Sequence, residues 1–286
     1  MIIVDLNQVM LSNLLMQLGN HTNAQLEENM VRHMILNSLR SYRVKFSGDY
    51  GELVIACDNT NIWRKKNFPY YKANRKKNID SSELDWKAIF DCLSKIRSEL
   101  KEFFPYKVID VETAEADDVI GTLVSKFGSE LNTGEKILIL SGDKDFIQLH
   151  TYANVEQYDP TRKKWIKNDD PTRFLKEHIL KGDAGDGVPN VLSDDDTFVT
   201  AKRQKPMTAK RIEELLKATP DKDYDEKVYK NFLRNRELID LSNTPDYIRE
   251  QVLNQFTQQN GKDRSKLLNY FIANKMKNLT EHLSEF

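Results

Sequence analysis

The chain has 286 residues, enough for one large core and a smaller second unit, and its 43 basic and 44 acidic side chains leave a net charge of −1. No global field marks a nucleic-acid or membrane partner, so any electrostatic footprint has to be local. Cys57 and Cys92 lack CxxC spacing, which excludes a disulfide framework and a cysteine-rich zinc site and leaves two ordinary buried thiols.

In chain order, Ile2-Ile3-Val4 ending at Asp5 reads as a buried strand, and the absence of a basic stretch before that acid argues against a cleaved signal peptide. Helical patterning covers Asn29 to Tyr42. A second apolar run, Leu53 to Cys57, stops at Asp58. Trp86 to Phe104 is helical, Lys107 to Val111 is a weaker strand, and Ala114 to Phe127 is a helix whose first turn is acidic. Ile137 to Leu140 runs as a strand toward Asp143 and Asp145. Val155 to Ile166 reads as a hairpin turning at Asp159-Pro160-Thr161, followed by a helical run ending near Leu180. Beyond about residue 170 the segments Thr208–Lys217, Glu226–Arg236, Tyr247–Phe256 and Lys266–Leu283 are charged and helical. The expected architecture is α/β, a mainly parallel sheet flanked by helices over residues 1–178, with a smaller, mainly helical unit over 179–286. No apolar run reaches membrane-spanning length.

Open α/β sheets collect ligands at the carboxyl ends of their strands, which is where Asp5, Asp58, Asp143 and Asp145 would emerge. For one such aspartate a helix N-cap or turn is the better explanation, but recurrence shifts the balance. Glu115-Ala116-Asp117-Asp118 opens a helix, where acids also complement the dipole, an explanation that fits Asp118 best. Asp143 and Asp145 lie two apart, a spacing that aims both at one centre if the backbone is extended. Lys181 to Gly187 carries Asp183 and Asp186 among three glycines that permit tight turns. If these acids converge, their repulsion calls for cations, and all-oxygen ligation suits Mg²⁺ or Mn²⁺ rather than zinc or iron. Two ions roughly 3.5 to 4 Å apart would activate water and stabilise the leaving oxygen during in-line attack on a phosphodiester.

From Asn61 to Ile79 the chain carries Arg64, Lys65, Lys66, Lys72, Arg75, Lys76 and Lys77 without one acid, interleaved with Trp63, Phe68, Tyr70 and Tyr71. Charge runs are usually solvated surface, but basic and aromatic residues right after Asp58 suit phosphates and stacked bases. Arg162, Lys163, Lys164 and Trp165 form a smaller cluster, as do Lys202, Arg203, Lys205, Lys210 and Arg211; both fit plain surface equally well.

The spaced acids, the basic segment WRKKNFPYYKANR (63–75), EADD (115–118), SGDKDF (141–146) and KGDAGD (181–186) resemble the 5′-nuclease or flap endonuclease superfamily. VRHMILNS (31–38), KKWIK (163–167) and the terminal Ser284-Glu285-Phe286 bring the chain nearest to the ribonucleases H of the T-even phages, a likeness that spans nearly its whole length. The resemblance implies 5′-to-3′ exonuclease and flap cleavage of RNA or DNA annealed to DNA, primer removal in phage lagging-strand replication, and two Mg²⁺ ions with Mn²⁺ as substitute. It assigns Asp5, Asp58, Glu115 and Asp117 to the first ion, and Asp145, Asp183 and Asp186 to the second, with Asp143 among the same acids. It places Lys72 and Arg75, and less strongly Arg64, at the scissile phosphate in an arch over 61–79. With Lys65, Lys66, Lys202 and Arg203 these would bind branched or nicked DNA and RNA/DNA hybrid. A monomer in the host cytoplasm, with a single-strand DNA-binding protein and a sliding clamp as candidate partners, follows from the same likeness. Many members continue past the last acids into a glycine-rich helix-three-turn-helix with a monovalent cation. Here Val188 to Val191 leads instead to Asp194-Asp195-Asp196, read as a solvated loop, and no such cation is expected.

Three rivals stand beside this reading. A PIN-like endoribonuclease would share the acids but not the long basic segment or GDAGD. A protein that binds branched DNA without cutting would not need so many acids together. An aspartyl-nucleophile phosphatase would need a second aspartate where Asp5-Leu6-Asn7 has none.

Overall fold

The computed structural model describes residues 1–18, 27–80, 84–128, 135–200 and 202–286, except for the side chains of 16–18, 76–78 and 80. The elements are β1 (Ile2–Asp5), α1 (Leu6–Leu18), α2 (Glu28–Tyr50), β2 (Leu53–Ala56), α3 (Trp63–Asn67), α4 (Ala73–Asp80), α5 (Trp86–Phe103), β3 (Lys107–Ile109), α6 (Ala116–Gly128) and β4 (Ile137–Leu140). A 3₁₀ helix over Lys144–Thr151 follows, then β5 (Val155–Asp159), β6 (Lys164–Ile166) and α7 (Pro171–Lys181). The remainder is helical: α8 (Ala209–Lys217), α9 (Pro220–Asp223), α10 (Glu226–Ile239), α11 (Asp246–Gln258), α12 (Leu267–Ala273) and α13 (Lys277–Thr280).

One sheet of order β3-β2-β1-β4-β5-β6 forms, parallel throughout except for β6. Every residue of β1, β2 and β4 is buried, which is why these strands read as unbroken Ile, Val and Leu rather than alternating with polar residues. The two-residue period sorts them onto two faces. Ile2, Val4, Leu53, Ile55, Leu138 and Leu140 meet α1, α2 and α5, whereas Ile3, Val54, Ala56, Ile137 and Ile139 meet α6 and the 3₁₀ helix. β1 lies between β2 and β4, so the chain leaves it in opposite directions and a crevice opens at the carboxyl ends of β1 and β4.

The chain beyond residue 179 does not share one core of its own. Leu241, Ile248 and Val252 join the α6 face, while Leu267, Tyr270, Phe271, Met276, Leu279 and Phe286 join the opposite face. Leu180, Val191, Ile212, Leu215 and Val228 make a small separate cluster. The single helix expected over Lys266–Leu283 is broken: Lys275 adopts φ 56°, and the Met276 N–H reaches back 2.8 Å to the Phe271 carbonyl, so α12 ends in a left-handed cap that no glycine announces. No helix of the described residues is long and apolar enough to cross a membrane.

Candidate active site and metal centre

Asp5 ends β1 and is only 9 % exposed. Its carboxylate accepts from the Gln8 amide at 3.2 Å, capping α1, and from Ser141 Oγ at 3.1 Å. Burial, then the charge of Asp58, pushes it up to about 7. Asp58, just past β2, accepts from Asn7 Nδ2 at 2.5 Å and from the Ala116 amide at 2.7 Å, which ties the strand end to the start of α6. That helix start brings Glu115 and Asp117 to the same crevice. Burial raises the Asp117 carboxyl well above its usual range, and Asp143 adds to the effect.

Asp143 is extended (φ −69°, ψ 130°), but the backbone turns into the 3₁₀ helix at Lys144, so Asp145 is not on extended chain. Asp143 N-caps the 3₁₀ helix, accepting from the Asp145 amide at 2.9 Å, so the turn rather than strand pleating brings both carboxylates inward. Burial and the neighbouring Asp145 raise Asp143 to about 6, with Asp186 and Asp183 contributing. Asp183 and Asp186 follow α7. Gly182, at φ +68°, turns the chain where an added Cβ would sit 2.4 Å from the Val188 carbonyl. The turn closes through paired Asp183 and Val188 backbone bonds of 2.8 and 2.7 Å. All eight expected acids thus belong to one mutually repelling group at the carboxyl edge of the sheet.

Cations already stand among them. Lys72 Nζ lies 2.5 Å from Glu115 Oε1 and 3.6 Å from Asp186, and Arg75 is 2.5 Å from Asp186. Burial works to lower the Lys72 pKa, but Glu115, Asp186 and Asp117 outweigh it and raise it. Lys72 itself adopts a left-handed φ of 55° and donates its backbone N–H to the Asp186 carbonyl at 2.7 Å, so the basic segment is stitched to the Asp183–Asp186 turn. Lys144 sits 3.0 Å from Asp183. Burial acts to raise Asp183, yet Lys144 and His178 hold it below the usual carboxylate range.

Several expectations for the basic segment need correction. Arg64 cannot grip a phosphate: it is 1 % exposed, bonded to Glu115 at 2.9 Å, to Asp118 at 2.9 Å and to the Leu238 carbonyl at 2.9 Å. Asp118 is wholly buried and also accepts from Trp63 Nε1 and Thr244 Oγ1, so it is a structural anchor. Trp63, Phe68 and Tyr71 are core residues, which leaves Tyr70 as the exposed ring for stacking. Lys65 and Lys66 are exposed, whereas the side chains of Lys76 and Lys77 lie outside those described. Lys202 and Arg203 are exposed, with Lys202 paired to Asp196 at 3.0 Å rather than to any of the eight acids. The acidic triplet is not merely a solvated loop, since Asp194 pairs with Lys227 and Asp195 with Arg234.

The sequence reading missed His178. It faces inward from the last turn of α7, with Nε2 2.9 Å from Asp145 Oδ1 and 3.4 Å from Asp183 Oδ2. Only its position five residues before Asp183, on the inward face of a helix, could have signalled it. Asp145, His178 and Asp183 offer ligand atoms all within 4.8 Å of one another, so the residues present fit a divalent ion. A cavity of about 580 Å³ lies at the opposite, amino ends of the strands, lined by Met1, Leu53 and Lys107, and holds none of these acids. The charge, not the enclosed volume, marks the site.

Residues 2–178 match the family model described as the 5′-3′ exonuclease, N-terminal resolvase-like domain, and residues 174–286 match the one described as T4 RNase H, C terminal. Ribonuclease H of Enterobacteria phage T4 is 35 % identical, across 99 % of this chain and 95 % of that one. The 5′-3′ exonuclease of Buchnera aphidicola is 32 % identical, across 49 % of this chain and 47 % of its own. Among solved structures, T5 5′-exonuclease with zinc bound superposes with a TM-score of 0.63 over 91 % of this chain and 99 % of that one, at 17 % identity. That likeness shows the PIN-like, mostly parallel fold with a helical C-terminal region.

Proposed function

Because the chain belongs to the 5′-3′ exonuclease family, and so is a metal-dependent nuclease that hydrolyses phosphodiester bonds, we propose that it is a 5′-to-3′ exonuclease and flap endonuclease acting on RNA or DNA annealed to DNA. The observation that carries this reading is the gathering of Asp5, Asp58, Asp117, Asp143, Asp145, Asp183 and Asp186 beside Lys72 and Arg75. Its biological role would be removal of RNA primers from lagging-strand DNA in phage replication. A single-strand DNA-binding protein and a sliding clamp are its candidate partners by family likeness.

Asp5, Asp58, Glu115 and Asp117 would hold one Mg²⁺, and Asp145, Asp183 and Asp186 the other, with Mn²⁺ able to substitute. When bound, such a pair supplies water activation and stabilisation of the leaving oxygen. The protein's own groups do the rest. Lys72 and Arg75 are aimed at the acids, where a scissile phosphate would meet them and its developing charge would be stabilised. Exposed Lys65 and Lys66 would take backbone phosphates further out. We assign 1–178 as the nuclease unit and 179–286 as the part that contacts duplex, with Lys202 and Arg203 on its surface.

Cleavage of a 5′-labelled primer and flap annealed to DNA, with Mg²⁺ and with EDTA, beside free single-stranded RNA, tests the proposal. Metal-dependent release of short 5′ products from the annealed substrates alone supports it. Cutting of free RNA alone would instead identify a PIN-like endoribonuclease, and binding without cutting a recognition protein.

A further inference from the structure

The acids of this site suggest oxygen-only ligation, but a buried imidazole stands among them. His178 is 6 % exposed, and its Nε2 faces Asp145 Oδ1 at 2.9 Å and Asp183 Oδ2 at 3.4 Å. Donor atoms on one ion with bonds of about 2.0 to 2.2 Å sit roughly 3 to 4 Å apart. The imidazole nitrogen stands 2.9 and 3.4 Å from its two carboxylate neighbours, and the ligand atoms of all three residues lie within 4.8 Å of one another, close to that spacing. α7 delivers the imidazole from its last turn, Phe174 flanks the ring at 5.8 Å, and the Gly182 turn returns Asp183 to the same place. Among the described residues the cation that pairs with Asp183 is Lys144, whose side chain is 54 % exposed.

We infer that His178 is a direct nitrogen ligand, with Asp145 and Asp183, of a divalent ion, and that this mixed donor set favours Mn²⁺ over Mg²⁺ at this position. The inference rests on the two-ion reading above and sharpens it. Mg²⁺ demands octahedral oxygen ligands and gives up water reluctantly, whereas imidazole suits the transition metals. As a ligand, Nε2 carries no proton, so the proton sits on Nδ1. The bland alternative makes Nε2–H a hydrogen-bond donor that merely orients Asp145. Affinity alone does not separate the two, since losing an outer partner of a ligand already weakens binding roughly 10- to 100-fold.

Pulsed electron paramagnetic resonance on the full chain titrated with Mn²⁺ separates them, because a coordinated imidazole gives a ¹⁴N coupling and a hydrogen-bonded one does not. The expected result is that coupling in the wild type and its loss in His178→Gln and His178→Asp. His178→Asp, which keeps a ligand but no nitrogen, should also narrow the Mn²⁺ to Mg²⁺ preference measured by competition calorimetry. Bound Mn²⁺ without ¹⁴N coupling, or coupling that survives both substitutions, overturns the inference while leaving the nuclease reading intact. The wild-type spectrum decides even if a variant fails to fold. Failure of Mn²⁺ to bind would remove the ion site along with the ligand, and loss of metal-dependent cleavage in the separate assay would then sink the function as well.

Discussion

Arg64 and Lys72 both meet Glu115 through the same kind of ion pair, yet burial gives them opposite work. Arg64 is sealed between Glu115, Asp118 and the Leu238 carbonyl, so its removal would take the guanidinium from two buried carboxylates and leave Asp118 with neutral donors alone. Arg64→Ala is expected to lower stability by about 3–5 kcal/mol in urea unfolding, with little change in DNA affinity of the folded fraction. A variant of normal stability that binds DNA weakly would return Arg64 to the substrate surface. Lys72 is 16 % exposed and lies between Glu115 and Asp186 at the edge of the groove. Lys72→Ala should cut single-turnover cleavage by at least about tenfold while shifting the dissociation constant less, as for a group that acts on transition-state charge. An effect on affinity alone would make it a positioning residue. Composition could not separate these two cations, because seven basic residues in a row of nineteen say nothing about which one is folded inward. His178 was illegible for a related reason: a lone histidine in a helix has no spacing to betray it until the Gly182 turn brings Asp183 back.

At the scale of elements, α11 closes the sheet in a way that only three-dimensional contact reveals. β3 is an edge strand, and edge strands leave a row of unpaired backbone groups. Gln255 on α11 and Gln259, which caps its C-terminus one turn later, each offer an amide that both donates and accepts: Gln255 pairs with the N–H and carbonyl of Asp110 at 3.0 and 2.9 Å, and Gln259 with those of Val108 at 2.9 Å each. Two side chains thus imitate the missing strand. Gln255→Leu keeps helix propensity and volume but orphans one donor and one acceptor. It should cost about 1–3 kcal/mol, with faster hydrogen exchange at the Asp110 amide than at Leu138 in the sheet centre. Unchanged exchange at Asp110 would show that water already satisfies that edge. The strands were legible because doubly covered strands have to be apolar throughout, and α5, α8 and α10 because their caps and periodicity agree. The 3₁₀ helix after Asp143 and the break at Lys275 were not, since each rests on a local turn whose residues carry no glycine or proline signal.

For the molecule as a whole, the acids form a single electrostatic unit held together against their own repulsion. Asp5 at about 7 and Asp143 at about 6 bind protons more tightly in the folded chain than in the unfolded one, where carboxyls titrate near 3.8. Folding stability from these groups is therefore fully present below about pH 4 and is lost as pH rises through 6 and 7, opposite to an ordinary salt-bridged aspartate. His150 has the other sign, because burial lowers its pKa and its contribution grows as pH rises toward the unfolded value of 6.5. Comparison with Asp5→Asn cancels that contribution and isolates the acid. Without divalent ions, the melting temperature of the wild type should fall relative to Asp5→Asn between pH 5 and 7.5, by several degrees if the difference amounts to about 2 kcal/mol. Adding Mg²⁺ or Mn²⁺ should reverse the trend, because an ion favours the ionised carboxylates and its binding releases their protons, so ion-induced stabilisation grows with pH. Calorimetry in buffers of different ionisation enthalpy would count those protons. A wild-type to Asp5→Asn difference that stays flat with pH, or ion binding that releases none, would mean that Asp5 is ionised in the resting protein. The repulsion at the sheet edge would then already be met by Lys72, Arg75 and Lys144 rather than waiting for metal.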